Sequence, residues 1–168
     1  MKPQIEPAWL ALARGELGVR EAPGSSNNPR VLAYYADAGH PEIKHDSVAW
    51  CAAAACAMLE RSGHASPKTL SARDFARWGK PLNGPRVGAV AVLTRGDPTS
   101  WQGHVGFVTD WNETHVRLVS GNVGDAVTEG WFPLAGERSS LIGYRWPVTP
   151  DNSRTIRAVQ LSLLDPST

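Results

Sequence analysis

The sequence has few cysteines, with only Cys51 and Cys56 among its 168 residues. On a helix, their spacing of five would place the two side chains roughly 140° apart around the axis. Such a pair is poorly placed to form a disulfide or to share a metal ion. The five histidines show no H-E-x-x-H spacing, and no C-x-x-C motif occurs. We therefore expect no metal and no cofactor, so at least one cysteine needs another explanation.

The sequence also has no excess of charge of one sign, because it contains 17 basic and 16 acidic residues. This balance gives no reason to expect a nucleic-acid partner or binding to an anionic membrane surface. No apolar stretch is long enough to span a bilayer. The N-terminal segment does not have the pattern of a secretion signal, because Arg14 and Glu16 interrupt its short apolar run. We expect a protein made in the cytoplasm without a signal peptide and without membrane insertion.

The first half of the sequence has the spacing of helices. Four segments with helical periodicity each end at a glycine: residues 7–18, 29–39, 46–63 and 71–79. Asn28 is the expected cap of the second helix, Asp46 or Ser47 of the third, and Ser71 of the fourth.

The second half changes to β-type sequence. Five short runs rich in valine and aromatic residues are separated by turn residues: 88–94, 104–111, 115–121, 126–132 and 141–147. Helices followed by strands predict an α+β fold with an antiparallel sheet of about five strands. We expect one domain over residues 1–150 and a flexible C-terminal extension over residues 151–168.

Cys51 lies near the start of the alanine-rich third segment. In the first turn of a helix, free backbone N–H groups and the helix dipole favour an anion, which makes a thiol easier to deprotonate. The same N–H groups could hold an oxyanion. The alternative is that Cys51 is a small buried filler, which is our expectation for Cys56 in the middle of the helix.

A nucleophilic cysteine needs a base, and His104 opens a predicted strand. A three-residue loop, 112–114, joins this strand to the next. If Trp111 pairs with His115, then Val108 lies opposite Leu118 and His104 opposite Asn122, with both side chains on one face. An asparagine oxygen would then orient the imidazole toward the thiol. The alternatives are a strand-end histidine and a plain turn asparagine.

Six segments carry a family resemblance: "ELGVREAPGSSNNPRVLAYY", "AWCAAAA", "SARDFARWG", "GAVAVLTRGDPTSWQGHVGFV", "SGNVGDAV" and "LIGYRWP". Together, over about residues 8–147, they resemble the small papain-like cysteine hydrolases of bacteria and phages, of the NlpC/P60 and CHAP type. The resemblance implies cleavage of peptidoglycan amide bonds, with Cys51 as nucleophile, His104 as base and Asn122 as the orienting residue. One motif departs, because relatives often have Gly-Gly-Asn-Gln where residues 120–123 read Ser-Gly-Asn-Val.

Four further residues are candidates for contact with the substrate. Asp46 would hold a substrate amine or cap the helix, and Glu21 would meet a cationic group or form a salt bridge. Trp50 and Trp101 would line the groove, with burial in the core as the alternative.

The resemblance predicts a lysin or a secreted antibacterial effector that acts in the periplasm or cell wall. Holin release or a secretion machine would deliver it, and an effector would have an immunity protein as partner. The alternatives are an inactive wall-binding module and a cysteine acyltransferase or deamidase that acts on proteins.

Overall fold

The computed structural model describes residues 5–148. Three α-helices come first: α1 (Ala8–Gly15), α2 (Pro29–Asp37) and α3 (Cys51–Arg61), followed by a 3-10 helix (Ala72–Arg77). Six strands follow: β1 (Lys80–Leu82), β2 (Val90–Thr94), β3 (Gly103–Trp111), β4 (His115–Val123), β5 (Ala126–Pro133) and β6 (Leu141–Trp146). None of the helices in this described range is long and apolar enough to cross a membrane.

The six strands form one antiparallel sheet in the order β1-β6-β2-β3-β4-β5. The predicted α+β class and antiparallel pairing are confirmed. The additional strand is β1, which has three residues and contains Pro81, so its sequence gave no strand signal. The predicted extension, 151–168, lies outside the described residues, and the single domain over 1–150 remains a prediction.

The helix boundaries follow their capping chemistry. Asn28 caps α2 as predicted, because its side chain accepts a hydrogen bond of 2.9 Å from the Arg30 N–H. The predicted start of α3 at Asp46 or Ser47 is wrong, because the helix begins at Cys51 with Trp50 as its N-cap residue. Ser71 makes no capping hydrogen bond with its side chain, and the fourth predicted helix is a 3-10 helix.

The two faces of the sheet differ in what covers them. α3 packs on one face, where its alanines allow a close approach to the strands, and every residue from Cys51 to Leu59 is buried. The strand residues in this core are Val90, Val92, Val105, Phe107, Val119 and Val127. A second, smaller cluster lies on the opposite face: Ala89, Ala91, Leu93, Val108, Val116, Leu118 and Tyr144. Since β3 contributes to both clusters in alternation, neighbouring β3 side chains belong to different faces.

Candidate active site

Cys51 is the first residue of α3 and is 7% exposed. Burial raises the pKa of its thiol, and backbone hydrogen bonds from Val105 and Ala52 together with the charge of Arg95 partly counteract this effect. Position at the helix start therefore does not make Cys51 a resting thiolate, because loss of solvation outweighs the helix N–H groups. The contact with the backbone of Val105 brings the thiol to β3, one residue beyond His104.

His104 is buried on β3 and faces away from α3. Its neighbour Val105 packs with the helices, whereas the His104 ring stacks on Phe132, with 4.9 Å between ring centroids. Burial and the positive charge of Arg95 lower the pKa of His104 to about 4. The imidazole is therefore neutral near pH 7, which is the state that accepts a proton. No hydrogen bond joins it to the Cys51 thiol among the described residues.

The hydrogen-bond partner of His104 is Ser120, a residue that the sequence did not single out. Nε2 of His104 lies 2.8 Å from the Ser120 hydroxyl oxygen, and Ser120 is itself 5% exposed. Nδ1 of the same ring has no hydrogen-bond partner within the described part of the chain. A small hydroxyl residue in the middle of a strand gives little signal in a sequence, which is why Ser120 was missed.

The regular pairing of β3 with β4 does not extend to His104 and Asn122. Val108 lies opposite Leu118 as predicted, but a bulge before Asp110 places Trp111 opposite Val116 and not opposite His115. Toward His104, this register ends at Phe107 and Val119. The predicted direct pairing of His104 with Asn122 is therefore not found in the register.

Asn122 instead supports the start of α3. β4 is irregular between Ser120 and Val123, and Asn122 has a left-handed backbone with φ of 60°. With its amide oriented to match its neighbours, Asn122 accepts from the Trp50 N–H and donates to Glu21 Oε1, both at 3.3 Å. Asn122 therefore bonds the residue that directly precedes Cys51.

The other predicted substrate residues divide into buried and accessible ones. Trp50 is fully buried, and its indole N–H donates to Glu21 Oε1 at 2.8 Å, so it belongs to the core. Asp46 is 3% exposed, and its Oδ2 accepts from the backbone N–H groups of Ala22 (2.7 Å) and Asn28 (2.8 Å). The predicted capping of α3 by Asp46 is wrong, because this carboxylate bonds a preceding loop instead, and the role of holding a substrate amine stays a prediction. Trp101 is 75% exposed.

Three cavities near the candidate residues adjoin one another through shared lining residues. The first, of about 400 Å³, contains Cys51, Arg95 and Trp101 in its lining. It shares Arg95 with a second cavity, of about 530 Å³, which His104 and Asn122 line. It shares Trp101 and Ser71 with a third, wider depression of about 920 Å³. The first two cavities together contain both candidate reacting groups in their lining.

A cysteine at the start of a buried helix, beside a strand that carries a neutral histidine, has the components of nucleophilic cysteine catalysis. The family model of the CHAP domain matches residues 43–122, a segment that contains Cys51, His104, Ser120 and Asn122. The predicted resemblance to the CHAP and NlpC/P60 type of family is therefore confirmed over this segment. CHAP domains are generally hydrolase domains that act on peptidoglycan.

The fold agrees with this family at the level of an α+β domain with an antiparallel six-stranded sheet. No curated protein and no solved structure matches the chain. Within residues 5–148, no group of three or more His, Cys, Asp or Glu side chains could hold a metal ion.

Proposed function

We propose that this protein hydrolyses an amide bond of peptidoglycan, with Cys51 as nucleophile and His104 as its base. The observation that carries the proposal is the position of Cys51 within the CHAP segment, at the first turn of α3 and against β3. His104 lies on that strand and is neutral, with a pKa lowered to about 4. A neutral imidazole and a protonated thiol fit proton transfer during attack better than a preformed ion pair does.

Ser120 is the orienting residue in this mechanism. When the Ser120 hydroxyl accepts from Nε2–H of His104, the lone pair lies on Nδ1, which has no other partner among the described residues. Nδ1 then takes the proton of Cys51. Hydrogen bonds between a nucleophile and its base are often long without substrate and shorten when substrate binds.

The reaction follows from these roles. The Cys51 sulfur attacks the amide carbonyl, and the oxyanion is stabilised by backbone N–H groups in the first turn of α3. His104 returns the proton to the leaving amine, and the carbon–nitrogen bond breaks to give a thioester. His104 then activates a water molecule, which hydrolyses the thioester and restores the thiol.

The three adjoining cavities support an extended substrate, as a stem peptide with its attached sugar would be. The scissile bond is an amide within the stem peptide or the amide between peptide and sugar. We further propose that the protein acts in the periplasm or cell wall as a phage lysin or a secreted antibacterial effector. Holin release or a secretion machine would deliver it, with an immunity protein as partner in the effector case.

The test is a digest of purified Gram-negative peptidoglycan, read by mass spectrometry of the soluble products. We expect fragments with the native protein and with Cys56→Ala, because Cys56 is buried in the middle of α3 and its thiol bonds the Thr69 carbonyl. Cys51→Ala and His104→Ala should release none while remaining folded. The fragment masses identify the bond.

Full activity in Cys51→Ala would overturn the mechanism. If native protein releases nothing and its Cys51 reacts slowly with a thiol reagent, a wall-binding module explains the fold better. A fast thiol without fragments would point to a protein substrate.

A further inference from the structure

Arg95 lies between the two cavities that hold the candidate reacting groups. It directly follows the end of β2 and is exposed. Its side chain belongs to the lining of the cavity that contains Cys51 and also of the cavity that contains His104 and Asn122. A ligand that occupies either cavity therefore lies beside Arg95.

The positive charge of Arg95 is not neutralised in the described part of the chain. No ion pair or side-chain hydrogen bond of Arg95 occurs there, and no Asp or Glu lines either cavity. The nearby carboxylate of Asp97 accepts instead from the N–H (2.8 Å) and hydroxyl (2.7 Å) of Thr99. Arg73 differs, because its guanidinium donates to the carbonyls of Gln102 (2.7 Å) and Pro98 (3.1 Å).

We propose that Arg95 binds a carboxylate of the substrate that lies beside the scissile amide, so that substrates with a free carboxylate at this place are preferred. This inference rests on the proposed peptidoglycan hydrolysis. An arginine without an internal partner keeps all five N–H donors for a ligand, and its planar fork matches a carboxylate with two parallel hydrogen bonds. Stem peptides carry free carboxylates along their backbone, whereas the amide between sugar and peptide has a sugar ether and a methyl group as its nearest neighbours. The proposal therefore favours a bond within the stem peptide.

The first experiment compares untreated sacculi with sacculi whose carboxylates have been converted to carboxamides by carbodiimide and ammonium. We expect the native protein to digest untreated sacculi roughly tenfold faster than amidated ones. Arg95→Gln should lose this difference, and Arg95→Lys should retain part of it. Lys80→Gln is the matched control, because it removes one positive charge from an exposed position on β1 and should keep the difference.

Equal loss of rate on both kinds of sacculi in Arg95→Gln would overturn the proposal, since the guanidinium would then act at the reacting carbonyl. A native protein that ignores amidation would overturn it as well. If the native protein digests neither kind of sacculi, the result counts against the proposed hydrolysis itself. A second readout, which needs no hydrolysis, tests the carboxylate site separately.

That readout is alkylation of Cys51 by iodoacetate and by iodoacetamide, which differ by the same exchange of carboxylate for carboxamide. Peptide mapping follows Cys51 separately from Cys56. Any change in thiol reactivity affects both reagents equally. The rate with iodoacetate divided by the rate with iodoacetamide therefore reports the charge beside Cys51. We expect this ratio to fall roughly tenfold in Arg95→Gln and to remain unchanged in Lys80→Gln. If Arg95→Gln leaves this ratio unchanged, the proposed carboxylate site is wrong, whatever the result of the sacculus digests.

Discussion

His104 and Ser120 form a buried hydrogen bond of 2.8 Å between β3 and β4, beyond the point where the regular pairing of these strands stops. Both side chains are less than a tenth exposed. The bond occupies Nε2 and fixes the orientation of the ring. The Ser120 hydroxyl thus holds the place beside His104 that the sequence assigned to Asn122.

Ser120→Ala should lower kcat/KM by about tenfold, because the imidazole loses the partner that fixes its tautomer and orientation. The fold should remain intact, since the change removes only one oxygen atom. Ser120→Thr keeps the hydroxyl and should recover most of the rate. A pH profile of kcat/KM for each variant distinguishes an effect on the histidine from a general loss of structure.

Asn122→Ala is the comparison for this prediction. Its side chain bonds the Trp50 N–H and Glu21, so we expect it to cost about 1–2 kcal/mol of unfolding free energy. Its effect on kcat/KM should be smaller than that of Ser120→Ala. The reverse order of effects on rate would return the orienting role to Asn122.

The lowered pKa of His104 predicts a pH-dependent stability. In the unfolded chain this histidine has its ordinary pKa of 6.5, whereas in the folded protein the value is about 4. Between these values the unfolded state binds one more proton, so stability is full above pH 6.5 and falls as the pH drops toward 4. The loss from this group amounts to about 3 kcal/mol.

Urea unfolding at pH 6.5, 5 and 4 measures this loss, with His104→Gln as the reference. The variant retains every other titrating group and should lose about 3 kcal/mol less than the native protein over this range. Parallel stability curves for the two proteins would show that His104 titrates normally in the folded state.

Gly121 allows the close contact of β4 with the start of α3. A Cβ atom at this position would lie 2.7 Å from the Trp50 ring and 3.0 Å from the Cβ of Ala54. Gly121→Ala should therefore destabilise the protein by about 1–3 kcal/mol through overpacking. It should also lower activity, because Trp50 directly precedes Cys51.

Gly130→Ala on β5 is the matched control, since a Cβ atom there has no neighbour within 4 Å. Urea unfolding of the two variants gives the comparison. Equal stability of both would mean that Trp50 moves without cost and that the contact does not fix α3.

Asp46→Ala separates a structural from a substrate-binding role. The variant removes the acceptor for two backbone N–H groups, so we expect a loss of about 2 kcal/mol in unfolding free energy with little change in KM. Thermal unfolding and KM for a soluble muropeptide measure the two effects. A raised KM at unchanged stability would restore the role of holding a substrate amine.

Local patterns predicted much of the fold because the governing contacts are close in sequence. The cap of α2 at Asn28 depends on residues two positions apart, and the strand runs after residue 88 show their valines and turns directly. The start of α3 was misplaced because Asp46 bonds Ala22 and Asn28, which are distant along the chain. A carboxylate before a helical pattern gives the same sequence signal whether it caps the helix or braces a loop.

The sequence by itself determined the α+β class, the cysteine and histidine that carry the proposed chemistry, and the CHAP resemblance, because residue type and order define them. The tertiary structure alone decided the neighbours of these residues. The regular pairing of β3 with β4 stops at Phe107 and Val119, before it reaches His104, and β4 is irregular between Ser120 and Val123. Ser120 therefore meets His104, and Asn122 turns to Trp50. Such irregularities in pairing leave no repeating pattern in the sequence, so only the folded chain reveals them.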